Sequence, residues 1–247
     1  MLERRNDSLK RTDMTAASNP TVLALDAAGA ACSAALWRDG GVVARRWEAM
    51  ARGHAEALMP MVEAVVDAPG YAGLDLICVG IGPGAYTGLR IAIATARGLA
   101  LATGLPALGV GSFDVQQAMA RQAGVTGNLA VVLETKRADV YFQAFDPSRD
   151  PLGTPEVLSF PDLEKRIRTL AGPVTIVGDA MERFAETASD ISPDWILRDS
   201  SHADAAVIAE FGATQLAIGG LPTEPPRPLY LRAPDTSPPA ADRQRLR

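Results

Sequence analysis

The sequence predicts an α/β protein in which a βββαβαβα unit occurs twice, the second time in degraded form. Three observations predict it. Apolar runs of strand length recur between longer stretches with helical spacing. The stretch from Leu76 to Val110 reads as strand, tight loop, helix and strand, the pattern of a right-handed β-α-β crossover. The order of elements read over residues 21–122 then begins again at Asn128.

The elements follow in order. Residues 1–19 mix charges of both signs with no apolar period and predict a flexible leader. Thr21 to Asp26 is a strand ending on an acid, and Cys32 to Arg38 is a second strand. Asp39-Gly40-Gly41 turns the chain into a third, Val42 to Glu48. His54 to Ala68 places Leu58, Met61, Val62, Val65 and Val66 at helical spacing, with Pro60 either starting the regular helix or kinking it. Leu76 to Ile81 is short and apolar enough for a buried strand, and Gly82-Pro83-Gly84 breaks it. In the helix that follows, Thr87 is expected to cap through its hydroxyl and Gly88 to permit close approach of a neighbour. Gly104 and Pro106 end that helix before the strand Ala107 to Val110, and a helix from Phe113 to Gln122 closes the unit.

In the second copy Leu129 to Leu133, Val140 to Phe145 and Val157 to Ser159 are strands, and Pro161 starts a helix over Asp162 to Leu170. A strand at Val174 to Val177, a helix around Glu182 to Thr187, a poor strand at Trp195 to Leu197 and a helix from Asp204 to Ile218 complete it. An acid closes the first strand of each copy: Asp26 is followed six positions later by Cys32, and Glu134 six positions later by Val140. From Leu221 onward the prolines at 222, 225, 226, 228, 234, 238 and 239 exclude helix and central strand, so the chain ends in an extended tail that Leu229-Tyr230-Leu231 could dock. The expected divisions are a leader (1–19), an N-terminal subdomain (20–124), a C-terminal subdomain (125–220) and a proline-rich tail (221–247).

Composition narrows the function. With 247 residues and 47% hydrophobic content there is ample material for a core. A formal charge of −5 argues against a free-standing nucleic-acid binder, which needs basic surface to displace counterions from phosphates. The two cysteines, Cys32 and Cys78, lie in predicted strands without the spacing of a zinc site or disulfide framework and read as buried thiols in a reducing compartment. No uninterrupted apolar run reaches the ~18 residues of a membrane span, and the cytosol is the expected location.

The architecture is that of the actin, Hsp70 and sugar-kinase group, and particular runs go further. LALDAAGAACSAALW, HAEALMPMVEAVV, VGIGPGAYTGLRIAIATARGLALATGLPALGV and PLYLRAPD resemble the bacterial TsaB (YeaZ) family, the dimerisation subunit of the tRNA threonylcarbamoyladenosine complex. The GIGPGAYTGLR segment is the most specific, and it is shared in looser form with the catalytic paralogue TsaD. The resemblance implies a non-catalytic scaffold that binds TsaD and, with it, the ATPase TsaE. It meets tRNA only through that assembly, is able to self-pair when alone, and has no cofactor of its own, ATP or ADP lying at most at the partner interface. TsaD carries a metal-binding Asn-His-x-Glu-x-His segment after the same helix. Here the segment is Gly111-Ser112-Phe113-Asp114-Val115-Gln116, with Ser112 and Gln116 where the ligands would stand. A hydroxyl and an amide are feeble ligands for a transition metal, so no metal site is expected. The only histidines, His54 and His202, are far apart in sequence and read as surface or helix-start residues.

Two readings stay open at the first cleft turn. Asp26, Gly82, Gly84, Thr87 and Gly88 could form a nucleotide or anion loop, the glycines offering backbone donors. Alternatively the glycines serve a sharp strand-to-helix turn. TsaB relatives commonly keep Thr-Ser after the aspartate, and this chain has Ala27-Ala28, two hydroxyl donors fewer. Asp26 and Glu134 are the candidate acid and base pair across the cleft, though an acid at a strand end more often forms a turn. No G-x-S-x-G elbow, Walker loop or C-x-x-C is present. No catalytic residue is therefore assigned, and the helices carry the expectation. Leu58, Met61, Val62 and Val65, with Leu89, Ala92, Ile93, Ala96, Leu99 and Ala100, form the expected partner interface, because small residues at 92, 94, 96, 98, 100 and 102 cover more than one helix face. The competing classes are an autonomous ATP-dependent phosphotransferase or ATPase of the same fold, and a metal-dependent peptidase.

Overall fold

A computed structural model of the chain describes residues 19–66, 70–198, 202–221 and 223–232. The leader expected over 1–19 lies outside them except for Asn19, as does the tail beyond Arg232.

Two five-stranded sheets carry the molecule. The first holds β1 (Val22–Asp26), β2 (Ala31–Arg38), β3 (Gly41–Ala49), β4 (Leu76–Gly82) and β5 (Ala107–Gly111) in the order β3-β2-β1-β4-β5. The second holds β6 (Asn128–Glu134), β7 (Asp139–Phe145), β8 (Glu156–Ser159), β9 (Val174–Val177) and β10 (Trp195–Leu197) in the order β10-β9-β6-β7-β8. Read from β8, the second order repeats the first strand for strand. The pairings repeat too: β1 is antiparallel to β2 and parallel to β4, as β6 is antiparallel to β7 and parallel to β9. This is the duplicated actin, Hsp70 and sugar-kinase arrangement. The second copy is the shorter, with four residues in β8 and three in β10.

Helices α1 (His54–Val65), α2 (Tyr86–Thr103) and α3 (Ser112–Gln122) follow the first strands, and α4 (Phe160–Arg168), α5 (Met181–Thr187) and α6 (Ala205–Ala217) follow the second. Because side chains alternate along a strand, each sheet has two faces to cover. Leu23, Leu25, Ile77 and Val79 face α1 and α2, through Leu58, Val62, Ala92 and Ala96. Val22, Ala24, Leu76 and Cys78 face α6, through Val207, Ile208 and Ala209. On the second sheet Ala130, Val132 and Phe142 meet α4 and α5, while Leu129, Val131 and Leu133 meet Phe113 and Ala120 of α3. The last helix of each copy thus covers the other copy's sheet.

That exchange corrects the boundary drawn at residue 220: α6 belongs to the first sheet by packing, although its sequence sits in the second copy. Helical period shows that a segment has an apolar face and does not show which sheet buries it. The structure adds a 3-10 turn at Gly70–Gly73 and carries α1 through the exposed Pro60 from a start at His54. It starts α2 at Tyr86 with Ala85 as N-cap and no side-chain cap bond, so the cap expected from Thr87 does not form. Both cysteines are free and buried.

Candidate functional site

A cleft of about 1040 Å³ opens between the two sheets where β1, β4 and β6 end. Its first wall is Ala28 to Ala30 and the start of α2, its second Leu133 to Arg137 and Asp179, and Ser112 and Gln116 of α3 reach it as well.

The first wall is set by contact between two backbones. The Ala85 N–H donates to the Ala28 carbonyl at 2.7 Å. Any Cβ on Gly84 would overlap that same carbonyl oxygen, and one on Gly88 would overlap the Ala27 carbonyl oxygen. Glycine at both positions is therefore required for the first turn of α2 to lie against the β1–β2 turn. Ala27 and Ala28 are buried at 0% and 3% exposure, and of the two only Ala28 reaches the cleft wall, where a methyl group offers no hydrogen-bond donor. Thr87 is exposed and lines the cleft, whereas Gly82 is buried with φ of 98° and joins Pro83 through a cis peptide.

Asp26 lies behind this turn at 2% exposure. Its Oδ2 accepts the Ala28 N–H at 3.2 Å, and its Oδ1 has no hydrogen-bond partner among the described residues. Burial raises its pKa from 3.8 to about 7, against the lowering effect of the Ala28 N–H. Glu134 does not complete an acid–base pair with it: the Glu134 carboxylate is held by Arg183 at 2.8 Å and accepts the Lys136 N–H at 3.2 Å.

The pair the sequence reading missed is Asp179 with His202. Asp179 Oδ1 accepts the Glu134 N–H at 2.8 Å, and Oδ2 lies 3.5 Å from His202 Nδ1. The Asp179 carboxylate raises the His202 pKa, burial opposing it, with a further rise from Asp26. His54 Nε2 lies 3.2 Å from the Gly29 carbonyl, so both histidines flank Gly29 despite their separation in sequence. Asp179 had one sequence signal, an acid just beyond a strand end, the same that marked Asp26 and Glu134.

Ser112 and Gln116 are buried at 5% and 2% exposure on the first turns of α3, and the Ser112 hydroxyl has no partner among the described residues. A hydroxyl and a carboxamide do not fit a transition-metal site, which prefers imidazole, thiolate or carboxylate. Among the described residues no cluster of three His, Cys, Asp or Glu side chains is placed to hold a metal ion.

The expected helix interface needs correction. Leu58, Val62, Val65, Leu89, Ala92, Ile93 and Ala96 are all at most 4% exposed, sealed in the chain's own core, while Met61, Leu99 and Ala100 are half-buried against it. A side chain with no accessible surface has nothing to offer a partner. The even-numbered small residues of α2 separate into two rows four residues apart: Ala92, Ala96 and Ala100 turn inward, and Ala94, Gly98 and Ala102 are exposed. Leu101 stands beside the outer row at 87% exposure, and the position of a Cβ on Gly98 meets nothing within 4 Å.

Comparison with known proteins agrees with this architecture. The family model described as TsaD, tRNA N6-adenosine threonylcarbamoyltransferase, matches residues 33–172. The tRNA threonylcarbamoyladenosine biosynthesis protein TsaB of Escherichia coli is 33% identical over 187 residues, covering 72% of this chain and 78% of that protein. YeaZ from Pseudomonas aeruginosa superposes with a TM-score of 0.71 at 27% identity, over 86% of this chain and all of the other. A second Pseudomonas aeruginosa structure, described as similar to the peptidase YEAZ, gives 0.74 with the same identity and coverage.

Proposed function

The chain belongs to the TsaB (YeaZ) family, and on that premise we propose that it takes part in threonylcarbamoyladenosine formation on tRNA as a non-catalytic scaffold. In this reading it binds a TsaD-like catalytic paralogue and, in the same assembly, a TsaE-like ATPase. It meets tRNA only through them. The observation that carries the reading is the outer row of α2. Ala94, Gly98 and Ala102 beside an 87% exposed Leu101 form a small-sided helix face, flanked by the exposed Arg90 and Arg97, that a partner helix can approach closely, as small residues allow. Homodimerisation of the isolated chain would use the same face.

The cleft supports the non-catalytic part. The position of the lost Thr-Ser donors is filled by buried Ala27 and Ala28, Glu134 is engaged by Arg183, and Ser112 and Gln116 stand where the paralogue's metal ligands would. Any nucleotide would then be held at the partner interface, not by this chain alone. Among the described residues no helix is long and apolar enough to cross a membrane. A role in tRNA modification implies a cytoplasmic assembly.

The test is reconstitution of tRNA threonylcarbamoylation from purified components. Omitting this chain should abolish product, while Asp26→Asn and Ser112→Ala should leave the rate within about twofold. A loss of more than about tenfold in either cleft variant would favour the competing reading, an autonomous kinase-like enzyme.

A further inference from the structure

Residues 226–232 run from the first sheet to the second with Tyr230 and Arg232 lining the cleft, and each attachment along them has a different chemistry. Pro226 lies over Gly109 of β5, and the Leu229 N–H donates to the Ile81 carbonyl of β4 at 2.8 Å. The Tyr230 ring stacks on Tyr86 at the start of α2, with centroids 5.5 Å apart, and its hydroxyl accepts from Arg90 Nε at 3.1 Å. Arg90 in turn lies 4.2 Å over the Tyr86 ring. To this point every contact is with the first sheet and its helix. The next two residues cross over. Leu231, half-buried, packs against the apolar cluster of the second sheet and α3, and the Arg232 guanidinium pairs with the Asp139 carboxylate on β7.

The local sequence explains the geometry. Pro225, Pro226 and Pro228 hold the chain extended before it docks, so less conformational freedom is lost on binding than for a flexible tail. The chain then bends at Leu231 and Arg232. Leu231 is half-buried against the second sheet's cluster, while its neighbours Tyr230 and Arg232 line the cleft.

We infer that residues 226–232 are a strap that fixes the separation of the two sheets, and with it the opening of the cleft. Helices α3 and α6 also link the two sheets, α3 packing on the second through Phe113 and Ala120 and α6 covering the first, and a change in separation would pivot on them. The strap adds a link beside α3, Leu231 packing against the cluster that holds Phe113 of that helix, and Tyr230 holds it to the first turn of α2. The role is independent of which partner the outer face of α2 binds.

The test is a distance measurement between spin labels on the two sheets of the full chain. Val43→Cys on β3 and Ile196→Cys on β10 are suitable sites at 51% and 49% exposure, and the native cysteines, both 0% exposed, will not take the label. The parent should give one narrow distance distribution. Tyr230→Ala/Arg232→Glu should broaden it and displace its centre by more than about 2 Å, the scale that separates a domain rearrangement from local adjustment. Arg232→Ala, which keeps the tyrosine stack, should show a smaller displacement in the same direction. Both side chains are partly exposed, so the variants should retain the parent's circular dichroism. Distributions superimposable on the parent's in both variants would overturn the proposal.

Discussion

Gly88 of α2 rests against the carbonyl oxygen of Ala27 so closely that no side chain fits between them. The contact joins the two segments that make the cleft's first wall, and neither backbone can retreat without unpairing the Ala85 N–H from Ala28.

Gly88→Ala should therefore destabilise the fold by about 1 to 3 kcal/mol, the usual cost of overpacking, even though alanine is the better helix former. Denaturant unfolding measures it. A variant as stable as the parent would mean that the wall can shift at no cost.

Asp26 makes stability depend on pH in a recognisable way. Its folded pKa of about 7 exceeds the ordinary 3.8, so the folded state binds the proton more tightly than the unfolded chain. Its contribution is fully present below about pH 4 and is lost as pH rises through about 7, a change on the order of 4 kcal/mol. Asp26→Asn keeps an oxygen for the Ala28 N–H and removes the titration. The difference in unfolding free energy between variant and parent should move in the variant's favour from pH 4 to 8 and level off above that. A constant difference would contradict the raised pKa.

The two rows of small residues on α2 should respond oppositely to the same substitution. Ala96→Glu places a charge at 0% exposure with no partner and should cost several kcal/mol or prevent folding. Gly98→Glu enters open space and replaces a poor helix former, so stability should stay within about 1 kcal/mol of the parent or rise. Thermal unfolding of both variants separates the inner row from the outer.

Arg121 holds the link between the two copies. It donates to the carbonyls of Val125 at 3.0 Å, Gly127 at 2.8 Å and Asp146 at 2.6 Å. Arg121→Met keeps much of the apolar stem but leaves three acceptors without this donor, and should cost about 2 kcal/mol or more in denaturant unfolding.

The duplication was legible in the sequence because strands and helices carry different periods. Each strand-ending acid, Asp26 and Glu134, also fell at the same place in its copy. What the residues could not disclose was allegiance. The apolar face of α6 reads the same whether it covers the first sheet or the second. The small residues at every second position of α2 from Ala92 to Ala102 likewise give no sign of which row turns inward until the sheet beneath is known. The cleft followed the same rule. Loss of donors at Ala27-Ala28 was visible in the letters, whereas the approach of Asp179 to His202 depends on two loops that only folding brings together.

Calorimetric titration of the catalytic TsaD-like paralogue with this chain tests the scaffold role most directly, using the parent and the folded Gly98→Glu variant side by side. Saturable binding by the parent and none by the variant is the expected result. Equal binding by both would show that the outer row of α2 is not the contact surface, and the scaffold account built on it would fall.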